Sequence, residues 1–594
     1  MTTHRFSVPD LSRRLLAPIA ALLGLVAGLS VLILPSPAPT TASPTEFSAE
    51  RAMASINRLA DEPHSVLRRE AHDRARDDVI GMFSDLGYTA DVHSDPLFDF
   101  SIPEDKETFD MLSTEQQAAV KDAPAETIVV DVPGKSERTM ALMAHYDSAT
   151  VEADENGHQH ITDGTSPGAS DDGYGVAAIV ETLRALKAEG RQPENSLKIV
   201  ITDGEEIGLI GARNEMRHHR ADYENVDLVL NLEARGTSGP AFMFETSPNN
   251  SAVAGYFLSH VKQPVSSSLL PSLYARMPNG TDMNVLIPEG FTVLNIAAIG
   301  EAEHYHHATD APRYVDHSTL QHYGDQVLGL TRAWAFDGQA PTLTADGDLH
   351  FFQLWRGLTV RYPAAVGTGL GCLAVIAALG VVAMRARSLR WKRVLGTVWG
   401  LTWRSALASA AAGLVQLGAM AMKWAPESGL GPNPLLPWMF AGGSLIGVGL
   451  TVRFVVRRWK EGLGQEAVAA VLLLLAAACI PLMVLLPGAA YVLVLPTLAL
   501  ALTALAPQRV RPVVGALAAF VIVVIFAPTI LLIHELLSLG AVWATVFFAI
   551  VPVAPLALVL LQAGSRRTQR TTARTSSRPD AALDGAAGPA TATA

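Results

Sequence analysis

The feature that most constrains the fold of this chain is a series of long apolar runs in its C-terminal half. Beyond about residue 360, Ala, Leu, Val and Gly dominate. Several uncharged stretches are long enough to cross roughly 30 Å of hydrocarbon as helices. We therefore expect residues 362–562 to form an all-α membrane domain of about seven helices within a lipid bilayer. The predicted spans lie near 362–384, 402–423, 435–456, 466–486, 489–506, 513–535 and 539–562.

A further apolar run, residues 15–34, follows Arg13 and Arg14 near the N-terminus. It is longer than the roughly 7–15 apolar residues of a signal peptide, which favours an uncleaved transmembrane anchor with residues 1–14 in the cytoplasm. Basic residues occupy every second connection between the later spans, as expected of cytoplasmic loops. With eight spans in total, residues 563–594 would form a disordered cytoplasmic tail. The basic clusters are Arg385 to Arg393, Arg457 to Lys460, Arg509 and Arg511, and Arg566 to Arg570.

Residues 47–340 have a mixed, acidic composition and follow a Pro/Ser/Thr-rich linker at 35–46. Seven strand-like segments alternate with helical patterns there, which predicts an α/β domain with a mostly parallel, helix-flanked sheet. The parity of the spans puts this domain outside the cytoplasm. The two cysteines, Cys372 and Cys479, both fall in predicted spans, so the domain would contain no disulfide. The net charge of −12 gives no reason to expect nucleic-acid binding.

The ends of the predicted strands carry carboxylates and imidazoles, which is where ligands bind in parallel α/β sheets. Oxygen and imidazole ligands without thiolate suit zinc or a similar divalent ion in a catalytic site. Each motif alone is typical of a turn, a helix N-cap or a solvated surface, but five such motifs at successive element boundaries indicate one site. They are His145 and Asp147 in AHYDS, Asp171 and Asp172 in GASDDG, Glu205 and Glu206 in GEEIG, and Glu233 in NLEARG with His304, His306, His307 and Asp310 in HYHHATD.

With these motifs assembled, residues from about 50 to 340 resemble the zinc metallopeptidases of the aminopeptidase-Y type (metallopeptidase family 28). The runs HYDS, GASDDG, GEEIGLIGA, NLEARG and YHHATD resemble that family's motifs, in the same order. The glutamate of NLEARG and the multispan region are similar to a membrane-bound branch with vacuolar and endoplasmic-reticulum members. The resemblance implies a zinc peptidase of the cell membrane, or of those organelles in a eukaryote, that removes N-terminal amino acids from peptides or proteins.

The resemblance also implies two zinc ions in one site, which would act together in catalysis. His145 and Glu233 would bind one ion. Glu206 and His306 would bind the other, and Asp171 would bridge the two ions. His304 and His307 are the reserve ligands if His306 is not the one used.

Three further residues receive catalytic roles from the resemblance. Glu205 would be the general base, which takes a proton from the attacking water and passes it to the leaving amine. Asp147 would hydrogen-bond His145 and fix its tautomer. Tyr305 would help to stabilise the oxyanion, and Asp282 in PNGTDMN would play at most a supporting part.

Three alternatives compete with the peptidase. A glutaminyl cyclase shares the fold but uses one zinc, and a receptor or scaffold with a decayed site would have lost ligands. Transport by the membrane domain is disfavoured because its spans hold almost no ionisable residues apart from Arg404, His534 and Glu535. The long segment between AHYDS and GASDD contains His158, His160 and Asp163, and we expect a mobile loop near the cleft there.

Overall fold

A computed structural model describes residues 8–153, 159–277, 280–338, 342–421, 436–537 and 542–565. The structure contains an α/β domain and a helical bundle, which confirms the predicted fold class. Residues 1–7 of the N-terminal segment, His158 and residues 566–594 of the tail lie outside the described residues. The same is true of the connection between the second and third predicted spans of the C-terminal half.

Eleven strands are described, and seven of them form the main sheet in the order β1-β2-β6-β3-β7-β9-β8. The central strands β6, β3, β7 and β9 are parallel, whereas β1, β2 and β8 run antiparallel to their neighbours. The prediction of a mostly parallel sheet therefore holds for the centre and is wrong for the edges. The strands are β1 (Asp91–Pro96), β2 (Pro124–Val132), β3 (Ser136–His145), β4 (Val151–Ala153), β5 (Gln159–Ile161), β6 (Asn195–Thr202), β7 (Val226–Ala234), β8 (Ser238–Thr246), β9 (Val293–Gly300), β10 (Leu349–Trp355) and β11 (Leu358–Pro363).

Helices cover both faces of this sheet because parallel strands require crossover connections. α2, α6 and α11 pack together on one face, and α7 and α10 cover the other. α6 begins where the Asp172 carboxylate accepts a hydrogen bond from the Gly175 amide at 2.9 Å. The helices of this domain are α2 (Ala49–Leu59), α3 (Arg69–Asp85), α4 (Pro103–Met111), α5 (Thr114–Val120), α6 (Gly173–Ala188), α7 (Ile210–His218), α8 (Ser251–His260), α9 (Leu269–Tyr274), α10 (Met283–Leu286) and α11 (His317–Phe336).

The remaining helices form an apolar bundle. Five helical segments are long and apolar enough to cross a membrane, and Leu15–Ser30 and Tyr491–Leu505 are shorter apolar helices. Each predicted span coincides with described helix, except that the last predicted span consists of two helices, α18 and α19. The bundle contains α1 (Val8–Ser30), α12 (Ala364–Arg385), α13 (Trp391–Ala421), α14 (Leu436–Lys460), α15 (Gly464–Leu485), α16 (Tyr491–Leu505), α17 (Arg511–Leu537), α18 (Val542–Ile550) and α19 (Val553–Gly564).

The N-terminal helix α1 is part of the bundle and packs along α17. A Cβ atom built on Gly24 would lie 2.8 Å from the Phe520 carbonyl oxygen, and one on Gly28 would lie 2.9 Å from that of Val524. This is the close backbone approach that glycines four residues apart allow between membrane helices. α1 and the C-terminal helices therefore form one packed unit.

Two connections join the bundle to the α/β domain. The predicted linker lies against the domain, because the Arg51 side chain donates hydrogen bonds to the carbonyls of Thr40, Ala42 and Glu46. On the other side, the hairpin of β10 and β11, which the sequence did not predict, continues directly into α12. The sheet also contacts the bundle, since Phe242 and Ile299 share an apolar cluster with Leu532 of α17.

Candidate active site

The four central strands deliver the predicted ligands to one edge of the sheet. β3 ends at His145, which pairs in register with Thr202 at the end of β6, and the Glu205–Glu206 pair follows three residues later. Glu233 lies near the end of β7, and the segment containing His306 follows β9. Parallel strands have their carboxyl ends at the same edge, so motifs distant in sequence converge there.

Two groups of possible metal ligands meet at Asp171. His145, Asp171 and Glu233 form one group, and Asp171, Glu206 and His306 form the other, with ligand atoms within 4.8 Å of one another in each. The Asp171 Oδ1 atom lies 3.2 Å from His145 Nε2, and its Oδ2 atom lies 3.4 Å from His306 Nε2. One carboxylate thus faces both imidazoles. A third group, His145 with Glu205 and Glu206, overlaps the first two.

Local backbone geometry aims these side chains. His306 has a φ of 58°, in the left-handed region that non-glycine residues rarely adopt, and its Nε2 atom lies 3.0 Å from Glu206 Oε2. Such strain persists where the surrounding structure enforces it, often at functional sites. His304 instead stacks on Tyr314 with ring centroids 4.7 Å apart. Among the described residues, neither His304 nor His307 joins a ligand group.

The electrostatics of the site show a shortage of positive charge. Burial raises the pKa of Glu233 to about 8 and that of Glu206 to about 7, and it raises the pKa of Glu205 well above its usual range. Burial lowers the pKa of His306, but the Glu206 and Asp171 carboxylates more than offset this and raise it to about 10. Several buried carboxylates within a few ångströms repel one another. Bound cations would relieve this repulsion.

Asp147 contacts both His145 and the loop that carries the two glutamates. The His145 Nδ1–H group donates to the backbone carbonyl of Asp147 at 3.0 Å, while the Asp147 carboxylate oxygen is 3.5 Å from that nitrogen. The carboxylate instead accepts hydrogen bonds from the Glu205 and Glu206 amides at 3.1 and 3.2 Å. The carbonyl therefore fixes the His145 tautomer. The carboxylate holds the loop that presents the two glutamates.

The other predicted residues lie in or near the same region. Tyr305 stacks on His306 with ring centroids 3.7 Å apart, and it lines a cavity over the candidate ligands that is described below. Asp282 is buried and accepts a hydrogen bond from the Thr202 hydroxyl at 2.6 Å. The segment expected to be a mobile loop contains the β4–β5 hairpin. There, Asp163 accepts a hydrogen bond from Gln116, and His160 joins no ligand group among the described residues.

Asp310 makes three supporting hydrogen bonds that were not predicted from the sequence. The Asp310 carboxylate accepts hydrogen bonds from the Ser170 amide and hydroxyl at 2.8 and 2.6 Å and from the Asp171 amide at 3.2 Å. It thereby fixes the loop that carries the shared ligand. The only indication of this role in the sequence was the position of Asp310 at the end of the YHHATD motif.

Behind the site lies a fully buried hydrogen-bonded network. His72 Nε2 is 3.0 Å from Asp203 Oδ1 and 3.1 Å from the Tyr146 hydroxyl. Tyr146 adjoins His145, and Asp203 precedes the glutamate pair, so the network ties the two ligand loops together. No sequence pattern indicated the part played by His72.

A cavity of about 280 Å³ opens over these ligands. Its polar lining consists of four carboxylates and three other side chains, namely Asp171, Glu205, Glu206, Glu233, Arg235, Thr281 and Tyr305. Its opposite wall is mainly apolar and includes Leu536 from α17, so the bundle contributes to the pocket. The apolar lining residues are Phe242, Phe244, Leu270, Tyr274, Met277, Ala297, Ile299 and Leu536.

Comparison with known proteins identifies the domain. Residues 127–331 match the model of Peptidase family M28. The chain carries a family M28 peptidase domain. The matched M28 segment spans β2 to α11 and contains every predicted ligand.

Curated relatives of the M28 domain include a vacuolar membrane protease and an endoplasmic reticulum metallopeptidase. Over 202 residues the chain is 29% identical to a vacuolar membrane protease of Lodderomyces elongisporus, which covers 33% of this chain and 19% of that protein. Over 220 residues it is 26% identical to endoplasmic reticulum metallopeptidase 1 of Mus musculus. That alignment covers 36% of this chain and 24% of the mouse protein. The chain thus spans about a quarter or less of the length of these relatives.

Among solved structures, similarity extends over about half of the chain. A zinc aminopeptidase from Bacillus subtilis has a TM-score of 0.38 at 14% identity and covers 51% of this chain and 98% of its own. A glutaminyl cyclase from Porphyromonas gingivalis has a TM-score of 0.37 at 19% identity. The match covers 48% of this chain and 98% of the cyclase.

Proposed function

We propose that this chain is a membrane-anchored zinc peptidase that removes N-terminal amino acids from peptides through a site for two zinc ions. The observation that carries the proposal is the pair of ligand groups that share Asp171. A shared carboxylate between two groups of His and Glu ligands is the arrangement that a two-ion centre needs.

The residues present fit zinc. Each group combines one imidazole with carboxylates, and no thiolate is nearby, which suits a catalytic rather than a structural zinc site. Glu206 Oε1 is buried and has no hydrogen-bond partner, and His306 Nε2 contacts only the carboxylates of Glu206 and Asp171. Buried polar atoms normally have partners, so these two atoms support a missing ligand between them.

When bound, the zinc ions would lower the pKa of a water molecule and polarise the scissile carbonyl. The protein supplies the remaining steps. The Glu205 carboxylate takes the proton of the attacking water and delivers it to the leaving amine, and the Tyr305 hydroxyl donates toward the developing oxyanion. The Asp147 carboxylate keeps Glu205 in place through the Glu205 amide.

The pocket supports an N-terminal residue with an apolar side chain as substrate. Its carboxylates would attract the α-ammonium group of a peptide, and its wall of Phe242, Phe244, Ile299 and Leu536 would contact the first side chain. We further propose that the M28 domain acts outside the cytoplasm, because the alternating basic connections put it on that side.

The test uses full-length protein purified in detergent. We expect about two zinc ions per chain by metal analysis, loss of activity with a chelator, and release of single residues from peptides with a free amino terminus. The same peptides with an acetylated terminus are the matched control and should not be cleaved. One ion with cyclisation of N-terminal glutamine, or internal cleavage of acetylated peptides, would contradict the proposal.

A further inference from the structure

A cavity of about 720 Å³ lies between the end of α14 and the first half of α13, remote from the M28 domain. Arginine dominates its lining, with one carboxylate and a few apolar side chains. The lining residues are Arg390, Arg393, Arg404, Leu450, Arg453, Phe454, Arg457, Arg458, Glu461 and Leu463.

The carboxylates around this cavity do not balance its arginines. Arg390 pairs with Glu466 at 2.7 Å, and Arg457 pairs with Glu461 at 2.7 Å. Arg458 lies 3.7 Å from the same Glu461. Two carboxylates among six guanidinium groups leave an excess of four positive charges. An anion in the cavity would relieve their repulsion.

Several of these guanidinium groups are held in place rather than free in solvent. Arg404 lies over the Phe454 ring at 4.2 Å and donates to the Gly400 carbonyl at 2.8 Å. Arg458 lies 5.1 Å from the same ring centroid, and its buried Nε atom has no hydrogen-bond partner. Held guanidinium groups with unused donors are suited to bidentate recognition of a phosphate.

The position of the cavity indicates where the anion comes from. Arg404 and Arg453 lie inside two predicted spans. Arg453 is an ionisable residue of the spans in addition to Arg404, His534 and Glu535. Charged residues within spans are costly and mark functional sites. Leu450, one turn before Arg453, is apolar, lines the cavity and is 38% exposed. The cavity therefore combines a cationic interior with an apolar rim.

We propose that this arginine cavity binds the phosphate headgroup of an anionic membrane phospholipid. The headgroup phosphate accepts hydrogen bonds from Arg404, Arg453 and Arg458, and the acyl chains lie along the Leu450 face of α14. The basic connections put this end of the helices on the expected cytoplasmic side, where anionic lipids attract basic pockets between helices. The site is separate from the peptidase site and does not depend on its function.

The experiment measures ligand affinity of the full-length protein in a neutral detergent by thermophoresis. The probes are dioctanoyl phosphatidylglycerol, dioctanoyl phosphatidylcholine and sodium phosphate. We expect phosphatidylglycerol to bind at least about tenfold more tightly than the other two. The double variant Arg404→Gln/Arg453→Gln should weaken phosphatidylglycerol binding by about tenfold or more.

Three controls separate the possible outcomes. Arg509→Gln removes an exposed charge from the same side of the bundle but outside the cavity, and it should leave the affinity unchanged. Arg404→Lys/Arg453→Lys keeps the charge and should recover part of the affinity. If the double glutamine variant aggregates, Arg453→Gln alone changes an exposed residue and should still weaken binding.

Three results would overturn the proposal. The first is unchanged phosphatidylglycerol affinity in the glutamine variants. The second is an equal loss of affinity in Arg509→Gln. The third is phosphate binding as tightly as phosphatidylglycerol, which would indicate a soluble anion.

Discussion

Replacing Glu205 by glutamine should abolish turnover without emptying the metal site. Glutamine has nearly the shape of glutamate but cannot take a proton. The Asp147 carboxylate holds the backbone amides of Glu205 and Glu206 at 3.1 and 3.2 Å, so the loop keeps its conformation in the variant. Glu206 lies 3.0 Å from His306 and shares a group with Asp171, which is why we propose it as the ligand of the pair.

The expected loss follows from the role of a positioned base. General base catalysis typically contributes about 10²–10⁴-fold to the rate. Each factor of ten corresponds to about 1.36 kcal/mol, so Glu205→Gln should raise the activation barrier by about 3–5 kcal/mol. Burial, and then the Glu233 carboxylate, raise the pKa of Glu205 well above its usual range. A carboxylate with a raised pKa is a stronger base, which suits the proposed role.

The assay compares zinc content, melting temperature and kcat in three variants. Glu205→Gln should keep both ions and the wild-type melting temperature, with kcat reduced about 10²-fold or more. Glu206→Gln should lose affinity for one ion, and with it some stability. Glu289→Gln, at a half-exposed glutamate that pairs only loosely with Arg220, should match the wild type.

Two results would refute this reasoning. A near-normal kcat in Glu205→Gln would show that another group takes the proton. Loss of one ion in Glu205→Gln would show that Glu205 is a metal ligand. Its position in a ligand group with His145 and Glu206 would account for that result.

Three further predictions concern the rest of the chain. Gly28→Leu should destabilise the packing of α1 on α17 by about 1–3 kcal/mol, whereas Gly369→Leu, with no atom within 4 Å of its built Cβ, should not; thermal unfolding in detergent distinguishes them. In chelator-treated protein, the raised pKa values of Glu206 (about 7) and Glu233 (about 8) mean that the folded state binds more protons than the unfolded state, where the pKa is near 4.5. This contribution to stability is fully present below about pH 4.5 and is lost as the pH rises to about 8. The melting temperature should therefore fall over that range, and a flat profile would contradict the assignment. Protease added to intact cells should remove an epitope inserted near Thr45 and spare one at the C-terminus, and the reverse pattern would overturn the topology.

Local patterns in the sequence were sufficient to predict the two-part architecture and to identify the set of candidate ligands. Span length and hydropathy do not depend on the packing of distant residues, which is why each predicted span coincides with described helix. The ligand motifs were recognisable because each places a residue type that binds metal at the boundary of a predicted strand or helix. The family resemblance supplied their roles, and the match of residues 127–331 to Peptidase family M28 confirms that resemblance.

Only the tertiary structure decided how these residues meet. Asp171 faces both His145 and His306, although 135 residues separate it from the second. The distance between Asp171 and His306 depends on how α6 packs on the sheet that contains β9. The same applies to the Asp147 carboxylate, which holds two amides in another loop, and to Leu536, which reaches the pocket from α17. Arg453 likewise lines the arginine cavity only because α14 packs on α13. A local pattern fixes what a residue can do, but its partners are set by long-range packing, which no short stretch of sequence encodes.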